Sequence, residues 1–327
     1  MKLAQSHFYG TDNTKIIRSK QLGVNYAVIG ANGDVSNPAD EKPWDYMPML
    51  RMYNRFKNTG VTPIVVEGPP PLDKIKLGLP GREEELEELI KFLHTMKALS
   101  IPVLCYNWMP VISWFRTSDS ARTRGGALAT EFVYDQIKPA PPTWAGTISE
   151  AQLWKNLDWF LQRIIPVAEE TGIQLALHPD DPPVSPIRGI SRILINPDAF
   201  QRVIDMYPSL YNGITLCQGC FKAQELNVLD VIDQFVSQKK VFFVHFRDVE
   251  GTKENFHEVF HNDGSTDMYK CIKRYLELGF DGPIRPDHVP TLEGDDHDHP
   301  GYTLFGNLYA VGYMQGLIEA AKKEIIN

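Results

Sequence analysis

The sequence lacks the features that mark secreted, membrane-bound and nucleic-acid-binding proteins. Four cysteines in 327 residues are too few for a disulfide scaffold, so reduced thiols in the cytoplasm are expected. No run reaches the ~18 apolar residues that span a bilayer, and the first ten residues lack the basic start and apolar block of a signal peptide. A net charge of −8 argues against binding to phosphate backbones, which needs clustered basic residues. We therefore expect a cytoplasmic protein with no membrane and no nucleic acid as partner.

A repeat of fixed length is also missing, which argues against a solenoid or a propeller. The chain instead contains short apolar runs, each followed by polar residues or by Gly and Pro. Eight of these runs are predicted strands: 2–8, 24–30, 61–68, 101–108, 173–179, 213–219, 241–248 and 282–288. They are too apolar for a sheet with one face in water, so both faces are expected to be buried.

Two of the segments between the strands have a clear helical pattern. In 82–99, apolar residues recur on one face, at Leu86, Leu89, Ile90, Leu93 and Met96. In 151–172, Ser149 and Gln152 have the spacing of a capping box, and Gly172 is a typical helix stop.

The alternation of strands and helices predicts a (β/α)8 barrel, with a doubly wound open sheet as the main competitor. Polar residues follow several of the predicted strands, and a barrel gathers the carboxyl ends of its strands around one mouth. This favours the barrel. We expect residues 1–327 to form a single barrel domain, with 109–147 as a long excursion over the mouth.

Four residues at the ends of predicted strands form a candidate metal site: His178, Cys217, His245 and Asp287. Imidazole, thiolate and carboxylate each supply a lone pair, and the two anions balance a dication such as Mn²⁺, Fe²⁺ or Zn²⁺. A single buried Cys or His is commonly structural. The prediction therefore depends on all four lying together.

Side chains two apart in a strand share a face, so Arg247 lies beside His245 and Arg285 beside Asp287. Both guanidinium groups are expected to bind a substrate carboxylate, with a structural ion pair as the alternative. Asn107, at the end of the run 101–108, is placed with them among the substrate-binding candidates.

Two short motifs receive a structural interpretation. Cys217 and Cys220 form a C-x-x-C without a second copy, so Cys220 is expected to be a loop residue. His257 to His261 spells H-E-x-x-H, but Val, Phe and the turn signal Asn-Asp-Gly favour a short hairpin over 256–268 rather than the helix of a zinc protease.

The run HPDDPP (178–183) places carboxylates directly after a proposed ligand. Asp180 and Asp181 are expected either to orient the His178 imidazole from behind or to bind amides of their own loop. His257 is assigned a similar supporting position behind the ligands.

Several runs resemble the mannonate dehydratase family in the same order over nearly the whole chain. They are CYNWMPV (105–111), LALHPDDPP (175–183), NGITLCQG (212–219), FHE with a later DM (256–268), RPDH (285–288) and PGY (300–302). The resemblance implies a metal-dependent barrel related to xylose isomerase, which removes water from D-mannonate to give 2-keto-3-deoxy-D-gluconate, usually with Mn²⁺ or Fe²⁺.

Carried over residue by residue, the resemblance implies that the four strand-end residues above are the metal ligands. It implies further that His288 and Tyr302 are the acid/base pair. The expected partner is a small sugar acid, and the expected assembly is a homo-oligomer.

The chain departs from the family pattern outside these runs. SWFRTS (113–118) stands where the family often has D-W-x-R followed by Ser or Thr, and PPPLDK (69–74) stands where it often has His-Glu-Asp. Because these changes fall near the expected pocket, a related sugar or sugar-acid isomerase or epimerase on the same barrel is the alternative function.

Overall fold

The computed structural model describes residues 1–8 and 13–326. Its strands are β1 (Lys2–His7), β2 (Tyr26–Ile29), β3 (Thr62–Glu67), β4 (Val103–Asn107), β5 (Ser118–Arg122), β6 (Leu128–Val133), β7 (Gln174–His178), β8 (Asn212–Cys217), β9 (Val241–Phe246), β10 (Val249–Thr252), β11 (Asn255–Glu258) and β12 (Pro283–Pro286). Eight of them close into a parallel barrel in the order β1-β12-β9-β8-β7-β4-β3-β2. Each barrel strand overlaps one of the eight predicted runs, which together with the closed parallel sheet confirms the (β/α)8 barrel.

The helices are α1 (Asn13–Gln21), α2 (Tyr46–Asn58), α3 (Asp73–Leu77), α4 (Arg82–Ala98), α5 (Tyr134–Ile137), α6 (Glu150–Thr171), α7 (Pro197–Met206), α8 (Gln218–Ala223), α9 (Val228–Ser237), α10 (Met268–Glu277) and α11 (Leu304–Ile326). The predicted helices 82–99 and 151–172 are α4 and α6. The Ser149 side chain accepts a hydrogen bond from the backbone N–H of Gln152 at 3.2 Å. Gly172 ends α6 at φ 75°, a left-handed conformation that glycine adopts without steric cost. Within the described residues, none of these helices has the length and apolar character needed to cross a bilayer.

The main core lies between the barrel strands and the surrounding helices. Leu86, Leu89, Leu93 and Met96 of α4 are all buried in it, as the helical pattern predicts. Smaller side chains such as Ala4, Val28 and Ala176 help fill the barrel interior. The fold thus holds the strand ends in fixed positions around one mouth.

A second sheet packs beside the barrel mouth, with strands in the order β10-β11-β6-β5. Strands β5 and β6 come from the 109–147 segment, and β11 pairs with β6 across the sheet. Phe132 and Phe256 form its buried layer together with Val249. This mouth sheet brings residues from two distant segments next to the barrel strands.

The hairpin predicted over 256–268 is wrong in its boundaries. The structure pairs β10 with β11, so the hairpin covers 249–258. The Asn-Asp-Gly segment does not form the hairpin turn. Its glycine packs against Asp248 instead, because an added Cβ on Gly264 would lie 2.2 Å from Oδ2 of Asp248. Thr266 also binds the Asp248 carboxylate through its backbone N–H and its hydroxyl.

Candidate active site

The four predicted metal ligands lie together at the carboxyl ends of β7, β8, β9 and β12. Ligand atoms of Cys217, His245 and Asp287 lie within 4.8 Å of one another, and His178 forms a second such group with Cys217. Nε2 of His178 is 3.1 Å from Nδ1 of His245, which in turn is 3.4 Å from Oδ2 of Asp287. The barrel therefore gathers all four donors at one point.

The hydrogen bonds at this cluster leave lone pairs directed into it. Nδ1–H of His178 donates to the Pro179 carbonyl at 2.7 Å, which leaves Nε2 of that ring as a lone-pair donor. Nε2 of His245 is buried, makes no hydrogen bond with the described residues and lies 3.4 Å from a carboxylate oxygen of Glu67. A proton on that atom leaves Nδ1 of His245 as a second lone-pair donor. The donor set suits a divalent transition metal.

The charges around the cluster favour the anionic ligands. Burial opposes ionisation of Asp287, but the Arg285 guanidinium and the neighbouring His288 and His245 hold its pKa well below the usual value. Burial likewise opposes ionisation of Cys217, but a hydrogen bond from Cys220 and the charge of Arg247 leave its thiol pKa well below normal.

Arg285 is clamped between two carboxylates. It binds Glu67 through two parallel hydrogen bonds of 3.0 and 2.9 Å, and its Nη1 donates to Asp287 Oδ1 at 2.6 Å. Burial would raise the pKa of Glu67, but Arg285 and His245 lower it to about 2. The ion-pair interpretation of this arginine thus has direct support, although Arg285 also lines the cavity.

His288 lies beyond the end of its barrel strand, and its backbone has a conformation that does not occur within a strand. β12 ends at Pro286, and His288 has φ 39°, in the left-handed region that non-glycine residues rarely adopt. Asp287 and His288 consequently both line the same cavity. Tyr302 completes the group, because its hydroxyl donates to Asp287 Oδ1 at 3.1 Å and its ring packs edge-on against His288.

A buried network of two arginines and two carboxylates lies behind His288. Arg247 donates to Asp181 at 2.8 Å, and Arg116 binds both Asp181 at 2.6 Å and Glu258 at 2.7 Å. All four side chains are at most 4% exposed. The two arginines outweigh the burial of Glu258 and lower its pKa together with His288.

A cavity of about 230 Å³ opens above the cluster. Its walls include the predicted site residues His178, His245, Arg285, Asp287, His288, Tyr302 and Asn107. Aromatic rings of Phe8, Tyr106 and Trp114 form much of the remaining surface. A cavity that combines polar groups on one side with aromatic rings on the other is typical of small-molecule sites.

Among the described residues that line the cavity, Arg247 is absent. Its side chain is 1% exposed and lies behind Asp287 and His288. Gly219 makes this placement possible, because a Cβ there would lie 2.1 Å from Nε of Arg247. Arg247 therefore acts on the site through the groups that it contacts.

Two of the residues expected behind the ligands lie elsewhere. Asp180 accepts from the backbone N–H of Leu194 at 2.7 Å and pairs with Arg192 at 3.4 Å, so it fixes its own loop. His257 lies on the face of β11 opposite to Glu258, 3.8 Å from the carboxylate of Glu250. Neither side chain lines the cavity formed by the described residues.

Cys220 lies in a different element from the one predicted, and Asn107 is already hydrogen-bonded to protein groups. Cys220 is not a loop residue, because it lies buried in the short helix α8, for which Cys217 is the N-cap. Asn107 accepts hydrogen bonds through Oδ1 from Lys76 and from the backbone N–H of Met109, both at 3.0 Å.

Sequence reasoning missed several residues of the site. Glu258 lies within the H-E-x-x-H letters and in the predicted hairpin, but only the pairing of β11 with β6 directs its side chain towards His288. Asp181 is expected to support His178 or its own loop, but nothing in that loop predicts its ion pairs with Arg116 and Arg247. Arg116 and Trp114 come from the 109–147 segment, which is predicted to lie over the barrel mouth, but no local pattern indicates which of its side chains enter the site.

Comparison with known proteins gives a consistent result. The family model described as D-mannonate dehydratase (UxuA) matches residues 1–145 and 135–327. "Mannonate dehydratase 2" from Halalkalibacterium halodurans is 33% identical over 347 residues, which covers 98% of this chain and 99% of that protein.

Solved structures agree with this assignment. The mannonate dehydratase from Streptococcus suis serotype2 superposes with a TM-score of 0.91 at 29% identity, covering 99% of this chain and 94% of that one. A xylose isomerase domain protein from Alicyclobacillus acidocaldarius subsp. acidocaldarius has a TM-score of 0.61 at 13% identity over 98% of this chain and 99% of that one, a likeness of fold alone. The chain belongs to the D-mannonate dehydratase (UxuA) family, whose members are hydro-lyases.

Proposed function

We propose that this protein dehydrates D-mannonate to 2-keto-3-deoxy-D-gluconate in a metal-dependent reaction. The observation that carries the proposal is the cluster of His178, Cys217, His245 and Asp287 directly below a cavity that also contains His288 and Tyr302. Family membership over nearly the whole chain supports D-mannonate as the substrate.

The four clustered residues would hold Mn²⁺ or Fe²⁺. Two imidazoles, a thiolate and a carboxylate fit such an ion, since both anionic groups have lowered pKa values and Nε2 of His178 has a lone pair available. Glu67 and Asp287 raise the pKa of His245, so metal binding would displace a proton from that ring. When bound, the ion acts as a Lewis acid that stabilises negative charge developing on the substrate carboxylate.

The protein's own groups move the protons. We assign His288 as the base that removes the proton from C2, because an imidazole accepts protons near neutral pH without large tuning. We assign Tyr302 as the acid that protonates the departing C3 hydroxyl. Its hydroxyl and the His288 ring lie 3.1 and 3.5 Å from the same carboxylate oxygen of Asp287, and both residues line the cavity, which supports a place for both beside one substrate.

Substrate positioning falls to the cavity wall. Asn107 and Arg285 lie there with polar groups, and the Glu67 carboxylate holds the Arg285 guanidinium in place. The ring of Trp114 lies 5.0 Å from that of His288 at the mouth. We infer that Asn107 and Arg285 orient the sugar acid, and that Arg247 supports Asp287 from behind.

Incubation of the Mn²⁺-loaded protein in D2O with D-mannonate and a panel of aldonates and uronates tests the proposal. We expect a 2-keto-3-deoxy acid from D-mannonate at the highest rate. Deuterium at C2 without loss of water would indicate an epimerase or isomerase instead. Absence of any reaction with the whole panel, at full metal content, would contradict a dehydratase.

A further inference from the structure

Nδ1 of His288 has two neighbours that require opposite positions of the imidazole proton. Oε1 of Glu258 lies 3.1 Å from Nδ1, and Nη1 of Arg247 lies 2.7 Å from the same atom. An ionised carboxylate only accepts and a guanidinium only donates. A neutral His288 with Nδ1–H therefore bonds Glu258, whereas a neutral His288 with bare Nδ1 bonds Arg247.

The choice between these tautomers decides which atom is available for chemistry. Nε2 of His288 lies 3.5 Å from Oδ1 of Asp287, on the side of the metal ligands. A base needs a lone pair on that atom, so the proton of the neutral ring must be on Nδ1. If Nδ1 instead accepted from Arg247, Nε2 would already carry a proton and could not take one from the substrate.

We propose that Glu258 is a positioning residue that accepts Nδ1–H of His288 and thereby leaves Nε2 free as the base. The assignment rests on the proposed function for the role of His288, and it adds a residue of the mouth sheet to the reaction.

The other contacts of the two neighbours favour Glu258. The two hydrogens on Nη1 of Arg247 have two carboxylate acceptors, Asp181 at 2.8 Å and Asp287 at 3.5 Å, and a hydrogen bond between two charged groups is stronger than one to a neutral imidazole. Oε1 of Glu258 accepts from Arg116 at 2.7 Å, and a carboxylate oxygen has a second lone pair that can accept Nδ1–H of His288 at 3.1 Å.

The product of proton abstraction favours the same partner. Once Nε2 has taken the substrate proton, His288 is an imidazolium with hydrogens on both ring nitrogens. Nδ1–H then requires an acceptor, and Glu258 is the carboxylate at hydrogen-bond distance from it. Its negative charge stabilises the imidazolium as it forms, which a guanidinium cannot do.

Strand geometry explains why Glu258 holds this position. It is the last residue of β11, buried on the face opposite to His257, and Arg116 fixes its Oε1 at 2.7 Å. The hairpin of β10 and β11 is in turn paired to β6. The mouth sheet thus presents one carboxylate to the proposed base.

Two-bond ¹H–¹⁵N correlation spectra of metal-free, ¹⁵N-histidine-labelled protein at one fixed pH measure the protonation of Nδ1 directly. The signals of His288 are assigned as those missing from the spectrum of His288→Asn. We expect Nδ1 of His288 to carry a proton in the wild type and to lose it in Glu258→Gln, where Arg247 becomes its donor. A bare Nδ1 in the wild type overturns the proposal, and so does an Nδ1–H that persists in Glu258→Gln.

Asp181→Asn is the matched control. Asp181 is as buried as Glu258 and binds the same two arginines, but it makes no hydrogen bond to His288. We expect Nδ1 to stay protonated in this variant, because Glu258 keeps its charge 3.1 Å from Nδ1 and the asparagine oxygen still accepts from Nη1 of Arg247. Loss of the Nδ1 proton in both variants would assign the effect to the charge network as a whole and would overturn the role of Glu258.

Kinetics provide a second readout on the metal-loaded enzyme. Glu258→Gln is expected to lower kcat by at least about 100-fold, the scale of a general-base contribution, with KM and metal content nearly unchanged. Glu258→Asp, which keeps the carboxylate, should recover part of kcat. Equal losses in the two variants overturn the proposal.

The spectra still test the Glu258 contact if Glu258→Gln does not fold or if the wild type is inactive. If Glu258→Gln does not fold, the wild-type and Glu258→Asp spectra still decide, because a bare Nδ1 in either one contradicts the assignment. If the wild type does not act on D-mannonate, the proposed function fails, whereas the spectra need no substrate and still test the Glu258 contact.

Discussion

Replacing Glu67 with glutamine tests how a carboxylate that moves no proton in the proposed reaction supports Arg285 and His245. Glu67 binds Arg285 through two hydrogen bonds and lies 3.4 Å from Nε2 of His245. A glutamine side chain would keep the shape but remove the charge, and its amide hydrogens would face the guanidinium. Both the stability of the fold and the orientation of a metal ligand should therefore suffer.

The structure sets the size of each effect. Removing one partner of a fully buried ion pair costs about 3–5 kcal/mol. Arg285 keeps its 2.6 Å bond to Asp287, and the Glu67 side chain is 20% exposed, so we expect about 2 kcal/mol. At roughly 2.1 cal/mol/K per residue of unfolding entropy, this lowers Tm by about 3 °C for a chain of this length.

Metal affinity should fall by about 10- to 100-fold, the usual effect of losing a carboxylate that orients a ligating histidine. Calorimetry of the metal-free protein and titration with Mn²⁺ measure the two effects. Glu41→Gln is the matched control, because Glu41 makes the same paired contact with Arg51, whose side chain is 32% exposed rather than 1%. Equal shifts in Tm for both variants, or unchanged Mn²⁺ affinity in Glu67→Gln, would refute this account of Glu67.

Three further predictions concern catalysis, pH and packing. His288→Asn should abolish turnover with metal still bound, and Cys217→Ser should weaken metal binding; metal analysis with product assays checks both, and the reverse pattern contradicts the assigned roles. Burial lowers the pKa of Lys76 to about 8, so between pH 8 and its ordinary pKa near 10.4 the unfolded chain binds more protons and stability rises with pH. Urea unfolding should show that slope of up to about 1.4 kcal/mol per pH unit in the wild type but not in Lys76→Met, and identical slopes would contradict it. Leu93→Ala should lose about 2–5 kcal/mol, because the side chain is fully buried in the core; a urea-measured loss below about 1 kcal/mol would contradict that burial.

The barrel could be predicted because its signals are local. Each strand is an apolar run of four to six residues with its own polar or Gly and Pro boundary. The four metal-ligand candidates could be proposed for the same reason, since each lies at or next to the carboxyl end of a strand. Closure of the barrel then brings these ends together.

The surroundings of the cluster could not be predicted because they depend on non-local pairing. β11 pairs with β6 across more than a hundred residues, and only this register directs Glu258 rather than His257 towards His288. Strand side chains alternate, so an error of one position selects the wrong face. Arg116 reaches the same carboxylate from the segment before β5.

The departure of His288 from strand geometry is a second example. Period-two alternation separates Asp287 from His288, and only the left-handed φ of His288 returns its ring to the cavity. The letters RPDH contain no rule for that turn. Only the resemblance to a family predicts that His288 belongs to the site.

The central claim is that one metal-dependent cavity removes water from D-mannonate with His288 as the base. The most direct test is the rate of 2-keto-3-deoxy-D-gluconate formation from D-mannonate by wild type and His288→Asn, both at full Mn²⁺ content. The account predicts product from the wild type and a loss of at least about 100-fold in the variant. Equal rates for the two proteins, or no product from the wild type, would contradict it.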